Sequence, residues 1–163
     1  MTSYPKRMVY LAGPITGLTH DEARYGWRRE FVEMLESMGL NHVSCNSPMR
    51  GKEFLKNHGI LSSGHDYPDH AMATPEGITT RDYNDVRECS AMVACYLESG
   101  DRPSLGTAAE FGYCHALQKP IIAVGPADEV NIRHLMLKRM AGYRVDTLEE
   151  AALIIAHLLT PGI

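Results

Sequence analysis

Short apolar runs that end in glycine or proline turns alternate along this chain with stretches of helical spacing, and this pattern narrows the possible folds most. Met8-Val9-Tyr10-Leu11-Ala12 is apolar throughout and is stopped by Gly13-Pro14, as a buried strand leading into a turn would be. The spacing then predicts a helix over 21–38, with Trp27, Phe31, Met34, Leu35 and Met38 on one stripe and Gly39 as its C-cap. A weaker strand follows over 42–45. Further on, helical patterns over 76–89, 105–117, 131–140 and 147–159 alternate with strands over 91–97, 120–124 and 143–145. The alternation predicts an α/β fold: a doubly wound, flavodoxin- or Rossmann-like sheet of about five mostly parallel strands, with helices on both faces. Ligands of such sheets bind beyond the carboxyl ends of the strands, at a switch point. The turn after the first strand, the segment near Asp82 and the turn around Ser104 are placed to converge there.

The length of 163 residues suits one domain over 1–163, with a core that needs no staples. A net charge of −4 leaves no basic footprint for a nucleic-acid polymer, though a local patch still suffices for a small nucleotide. Cys45, Cys89, Cys95 and Cys114 form no C-x-x-C or C-x-x-H pair, and three of them sit in or beside apolar runs, as reduced thiols do. With no signal-peptide core and no apolar run of membrane length, the expectation is a cytoplasmic protein without membrane contact. Residues 51–75 are rich in Gly, His, Ser, Asp and Pro and are read as an active-site loop, with too few apolar side chains for a second core.

The chemistry concentrates in Ser104-Leu105-Gly106-Thr107-Ala108-Ala109-Glu110-Phe111-Gly112-Tyr113. Glu110 stands among small and apolar residues near a helix start, and a glutamate is rarely buried without a partner or a task. A partly exposed helical glutamate beside packing residues is the plainer alternative. Ser104 either caps the helix or offers its hydroxyl, with the free amides around Gly106, to a phosphate or a sugar. Gly13-Pro14-Ile15-Thr16-Gly17 lacks the dinucleotide fingerprint but can present backbone N–H groups to an oxyanion. Asp82 and Asp85 share a helix face. Asp82 is read as a base-contacting or proton-donating group, and Asp85 as part of a solvated acidic surface. The run His65-Asp66-Tyr67-Pro68-Asp69-His70 lacks ligand spacing and is read as a polar lid rather than a metal site. His134, with Arg133, is placed near the cleft or at a subunit contact.

Taken in order, Val9-Tyr10-Leu11-Ala12-Gly13-Pro14-Ile15-Thr16-Gly17, Arg81-Asp82, the Ser104–Tyr113 segment and Lys119-Pro120-Ile121-Ile122 resemble the nucleoside 2-deoxyribosyltransferase superfamily. That superfamily includes the 2′-deoxynucleoside 5′-monophosphate N-hydrolases, and the likeness spans nearly the whole chain. The resemblance implies that Glu110 is the nucleophile attacking C1′ of deoxyribose. It also implies that Tyr10 orients the carboxylate and that Asp82 helps protonate the leaving base. Asn131 falls near the place where the transferases set an asparagine against a neighbouring subunit's sugar. No metal or organic cofactor is required, and at least a homodimer is implied, because the family commonly builds its sites between subunits. Ser104, six residues before Glu110, stands where the transferases carry aspartate and resembles the monophosphate hydrolases. Pro14 replaces a serine that those hydrolases carry, and Gly106-Thr107-Ala108 looks more like the transferases. Three functions follow for this small-molecule site: deoxyribosyl transfer between bases, N-glycoside hydrolysis with water as acceptor, or non-catalytic nucleotide binding.

Overall fold

The computed structural model describes residues 4–64 and 66–161. Five strands form one sheet: β1 (Arg7–Ala12), β2 (Val43–Asn46), β3 (Ala91–Cys95), β4 (Ile121–Val124) and β5 (Tyr143–Val145). Their order is β2-β1-β3-β4-β5 and every pairing is parallel, so the fold is the expected doubly wound α/β sheet. Among the described residues six α-helices accompany them: α1 (His20–Ser37), α2 (Pro75–Glu88), α3 (Leu105–Ala116), α4 (Val130–Arg133), α5 (Leu135–Met140) and, after β5, α6 (Leu148–Leu159).

The apolar run of β1 is buried on both faces, and its alternation decides which layer each residue meets. Val9 and Leu11 pack with Trp27, Phe31 and Leu35 of α1 and with Ala151 and Ile155 of α6. Tyr10 and Ala12 face the opposite layer, with Val86 of α2 and Phe111 and Cys114 of α3. This parity puts the Tyr10 side chain on the face covered by α3. Chain reversal between β1 and β3 opens the crevice: from its carboxyl end β1 leaves through α1 toward β2 on one side, and β3 leaves through α3 toward β4 on the other. Among the described residues no helix is long and apolar enough to cross a membrane.

Two expectations need correction. The helix foreseen over 131–140 is broken at His134, whose backbone is extended (φ −60°, ψ 128°). Ile132 and Leu137 are both buried, yet five residues apart on a continuous helix they would point about 140° apart. The break restores a common inward direction. The segment over 51–75 is also not purely polar. Leu55 and Leu61 join Met49 and Ala23 in a separate buried cluster, flanked by Phe54 and Tyr67. It is stitched to the β1–α1 loop by Gly17 N–H to Leu61 O (2.8 Å) and Leu61 N–H to Leu18 O (2.7 Å). His65 lies outside the described residues.

Gly13 closes β1 against the end of β3. Its φ is +152°, and a Cβ there would stand 2.7 Å from the Cys95 carbonyl oxygen and 3.2 Å from the Trp27 ring. Neither backbone nor indole can yield cheaply. Gly13→Ala is therefore expected to destabilise the fold by about 2 kcal/mol or more. Urea unfolding of the variant beside the wild type measures it, and an unchanged midpoint would show that the turn adapts.

Candidate active site

The crevice holds a cavity of about 430 Å³ above the carboxyl ends of β1 and β3. Glu110 enters it from the second turn of α3 and is 7 % exposed. From below, the fully buried Tyr10 hydroxyl donates to Glu110 Oε1 at 2.6 Å. Burial pushes the Glu110 carboxyl up to about 7, and the Asp82 charge adds to this. The Tyr10 hydrogen bond, Arg28 and Lys52 pull the other way. A phenol is thus pinned to a carboxylate that burial has kept close to neutrality. Tyr10 itself is held well above its ordinary range, first by burial and then by the Glu110 charge, so it stays a donor.

Asp82 reaches the same cavity from α2. Its Oδ1 accepts from Arg81 Nη2 (2.8 Å) and Nε (3.2 Å). Burial raises the Asp82 pKa, while Arg81 and then Lys52 oppose the rise. Arg81 also donates to the carbonyls of Pro48 (2.6 Å) and Arg50 (2.7 Å), so one guanidinium fixes both Asp82 and the start of the long loop. Asp85 departs from the expectation of a solvated acid. It is 4 % exposed, and Arg50 Nη2 donates to both of its oxygens at 2.8 and 2.9 Å. Its face of α2 is covered by the loop, which supplies the counter-charge that burial demands.

Gly13, Pro14, Ile15 and Thr16 line the cavity with Ser104 and Gly106. Gly17 does not line it. With φ +92° it sits against the guanidinium of Arg102, which does, and a Cβ at Gly17 would collide with that group. Ser104 occupies the N-cap position of α3 without capping it; its hydroxyl pairs with Thr107 Oγ1 at 2.9 Å. The first amides of α3 therefore keep their capacity to bind an acceptor from the cavity.

Asn131 and His134 are not brought into this cavity. Both line a neighbouring hollow of about 220 Å³, with Leu105, Val130, Met136 and Met140. The Asn131 amide is spent within its own chain: Oδ1 accepts from Ser104 N–H (2.8 Å), and Nδ2 donates to Arg102 O (3.2 Å) and Glu129 Oε1 (2.8 Å). It holds the loop that carries Arg102 and Ser104. Among the described residues no group of three or more His, Cys, Asp or Glu is arranged to hold a metal ion.

Three cationic residues escaped the sequence reading. Arg28 is buried beneath the first loop and donates to the carbonyls of Ala23 (2.6 Å), Gly13 (3.1 Å) and Leu11 (3.2 Å). Burial lowers its pKa to about 10, which leaves it charged under Glu110. Arg102 and Lys52 both line the cavity. Arg28 had one available signal, an arginine following Trp27 on an apolar helix stripe. The other two sit in irregular segments without periodicity.

The profile described as nucleoside 2-deoxyribosyltransferase matches residues 9–150. No curated protein sequence matches the chain. Among solved structures, a 2-deoxyribosyltransferase from the psychrotolerant bacterium Bacillus psychrosaccharolyticus is similar at 18 % identity and TM-score 0.60, covering 96 % of this chain and 99 % of that one. A conserved protein from Enterococcus faecalis V583 is similar at 16 % identity and TM-score 0.61, over 93 % and 98 %. The CMP N-glycosidase BcmB of Clostridium botulinum is similar at 18 % identity and TM-score 0.52, over 93 % and 99 %. What these structures have in common with the chain is the fold.

Proposed function

Because the chain belongs to the nucleoside 2-deoxyribosyltransferase family, we propose that it cleaves the N-glycosidic bond of 2′-deoxynucleosides or their 5′-monophosphates through a glycosyl–Glu110 intermediate. The observation that carries this reading is the 2.6 Å Tyr10–Glu110 hydrogen bond in a cavity that Asp82 also lines. N-glycoside cleavage passes through an oxocarbenium-like state, which a carboxylate stabilises and then traps. Glu110 Oε2 is the oxygen free of Tyr10, and it forms the bond to C1′ as the C1′–N bond breaks. The electron pair goes to the base. Asp82, whose burial favours its neutral form, supplies the proton. A second base attacks C1′ through a ring nitrogen and gives its N–H proton to the Asp82 carboxylate, which completes transfer as the C1′–O bond breaks and Glu110 leaves as the carboxylate.

Hydrolysis of monophosphates is the second reading, and a specific cluster favours it. Arg102, Ser104 and the uncapped start of α3 gather at one side of the cavity with Thr16. Cation, hydroxyls and helix amides suit the 5′-phosphate of a nucleotide. The single-domain unit over 1–163 is proposed to work as at least a homodimer. Leu105 (81 % exposed), Leu135 (77 %) and Met136 (54 %) offer the apolar contact for it.

The test is direct. The protein is incubated with each of the four common deoxynucleosides and each 5′-monophosphate, with and without a second free base, and products are separated by chromatography. A new deoxynucleoside in the presence of the second base is the expected result. Free base and sugar phosphate alone would select hydrolysis, and no turnover of any substrate would leave a binding module.

A further inference from the structure

Lys52 occupies a position that its structural role does not account for. Its side chain is 1 % exposed, and a lysine is seldom buried without a partner. Its backbone is fixed within the first turn of the loop: the N–H donates to Met49 O (3.2 Å), and the carbonyl accepts from Leu55 N–H (3.0 Å). Met49 and Leu55 are both fully buried, so the chain around Lys52 is anchored on either side. The side chain lines the cavity. Asp82 and Glu110 are near enough to act on the ammonium as charges, yet among the described residues it makes no hydrogen bond or salt bridge. Asp82 is already held by Arg81, and Glu110 by Tyr10.

An ammonium has three donors and no acceptor, so what it meets in the cavity must be an acceptor. The surroundings narrow the choice. Ile78 and Asp82 lie one turn apart on one face of α2 and both line the cavity, as does Pro48, whose carbonyl is tied to α2 by Arg81. Two apolar side chains beside one cation and one carboxyl suit a flat heterocycle with a polar edge. The hydroxyl- and amide-rich side, with Thr16, Ser104 and Gly106, suits the sugar end instead.

We propose that Lys52 donates a hydrogen bond to an acceptor atom of the base, a carbonyl oxygen or a ring nitrogen, and carries part of the negative charge that the base gains as it departs. This rests on the glycosidic-cleavage reading above. The C1′–N bond breaks and its electron pair moves to the base, while Glu110 forms the bond to C1′. Asp82 delivers the proton; Lys52 keeps its own and supplies charge. A base that leaves as a neutral molecule without protonation has no need of that help.

Lys52→Met removes the charge at nearly constant volume, and Lys52→Gln keeps a neutral donor; thermal melts establish that each is folded. Two measurements follow. Calorimetric titration with free adenine, hypoxanthine, cytosine and uracil is expected to show at least one base bound by the wild type. Lys52→Met should weaken that binding about ten- to a hundredfold, with Lys52→Gln in between. Equal affinities in all three proteins would overturn the proposal, as would a wild type that binds none of the bases. Cleavage is then compared between 2′-deoxyguanosine and its N7-methyl derivative, and between 2′-deoxyuridine and 5-fluoro-2′-deoxyuridine. Lys52→Met should lose about a hundredfold on each unactivated substrate that is cleaved and several-fold less on its activated partner. An equal loss on both members of a pair would mean that Lys52 merely balances the charge of Glu110. The two readings fail separately. Absence of cleavage by the wild type removes the proposed function, while base binding still decides the role of Lys52.

Discussion

Glu110→Ala is expected to lower turnover of the best substrate by at least about a thousandfold, because it removes the group proposed to form the covalent bond and leaves only binding and the remaining charges. The loss should fall on kcat, since the truncated side chain sits at the floor of the cavity and contributes little to holding base or phosphate. The fold should persist for a reason that can be weighed. Truncation strands the buried Tyr10 hydroxyl, at a cost of about 1–3 kcal/mol. It also removes a carboxyl that burial has pushed up to about 7, which relieves a cost of similar size. The two largely offset, so circular dichroism and melting should change little while turnover collapses. A variant keeping more than a tenth of the wild-type rate would sink the assignment. The same protein should still bind free base, because Lys52, Asp82 and Pro48 are untouched.

Much of this arrangement was legible in the chain. The run Val9–Ala12 marks a strand buried on both faces, and its parity carries Tyr10 to the α3 side once the helices are assigned to layers. Ser104 to Tyr113 reads as a helix with a carboxylate among small neighbours, and that helix is present. Less legible were interactions that depend on which surface the long loop covers. Asp85 has the helical spacing of an exposed acid, and only the arrival of Arg50 from 35 residues away makes its burial affordable. Lys52 belongs to the same problem, since no periodicity marks a loop residue as facing inward. The break at His134 was hidden for another reason. Local propensity favours one helix over 131–140, and tertiary packing of Ile132 and Leu137 overrides it. Asn131 is read from the resemblance as standing near the sugar of a neighbouring subunit, whereas in the structure its amide holds the loop that carries Arg102 and Ser104, a contact that no local pattern announces.

The same buried carboxyl makes stability depend on pH in a direction opposite to that of ordinary surface acids. Glu110 in the folded protein titrates at about 7, against an ordinary value of 4.5. Between those two values the folded state holds a proton that the unfolded chain has lost, so the folded state binds more protons and stability falls as pH rises. Below the lower value both states are protonated and the penalty vanishes; above the higher one it is complete. Glu110→Gln cannot ionise, retains an oxygen for the Tyr10 hydroxyl and therefore isolates this contribution. Relative to wild type, it should be more stable by about 1 kcal/mol at pH 5 and by about 3 kcal/mol at pH 8. Asp82, also raised by burial, gives both proteins a slope of the same sign, so the difference between them reports Glu110 together with its coupling to the Asp82 charge. Urea unfolding of the two proteins at pH 5, 6.5 and 8 measures the difference. A gap that stayed constant, or narrowed toward pH 8, would show that Glu110 is already fully ionised in the folded state at pH 5. The cavity would then lack the poised carboxyl on which cleavage is proposed to depend. A gap that widens as described identifies Glu110 as a group kept in place at the expense of the fold, which is the thermodynamic mark of a side chain retained for chemistry rather than for packing.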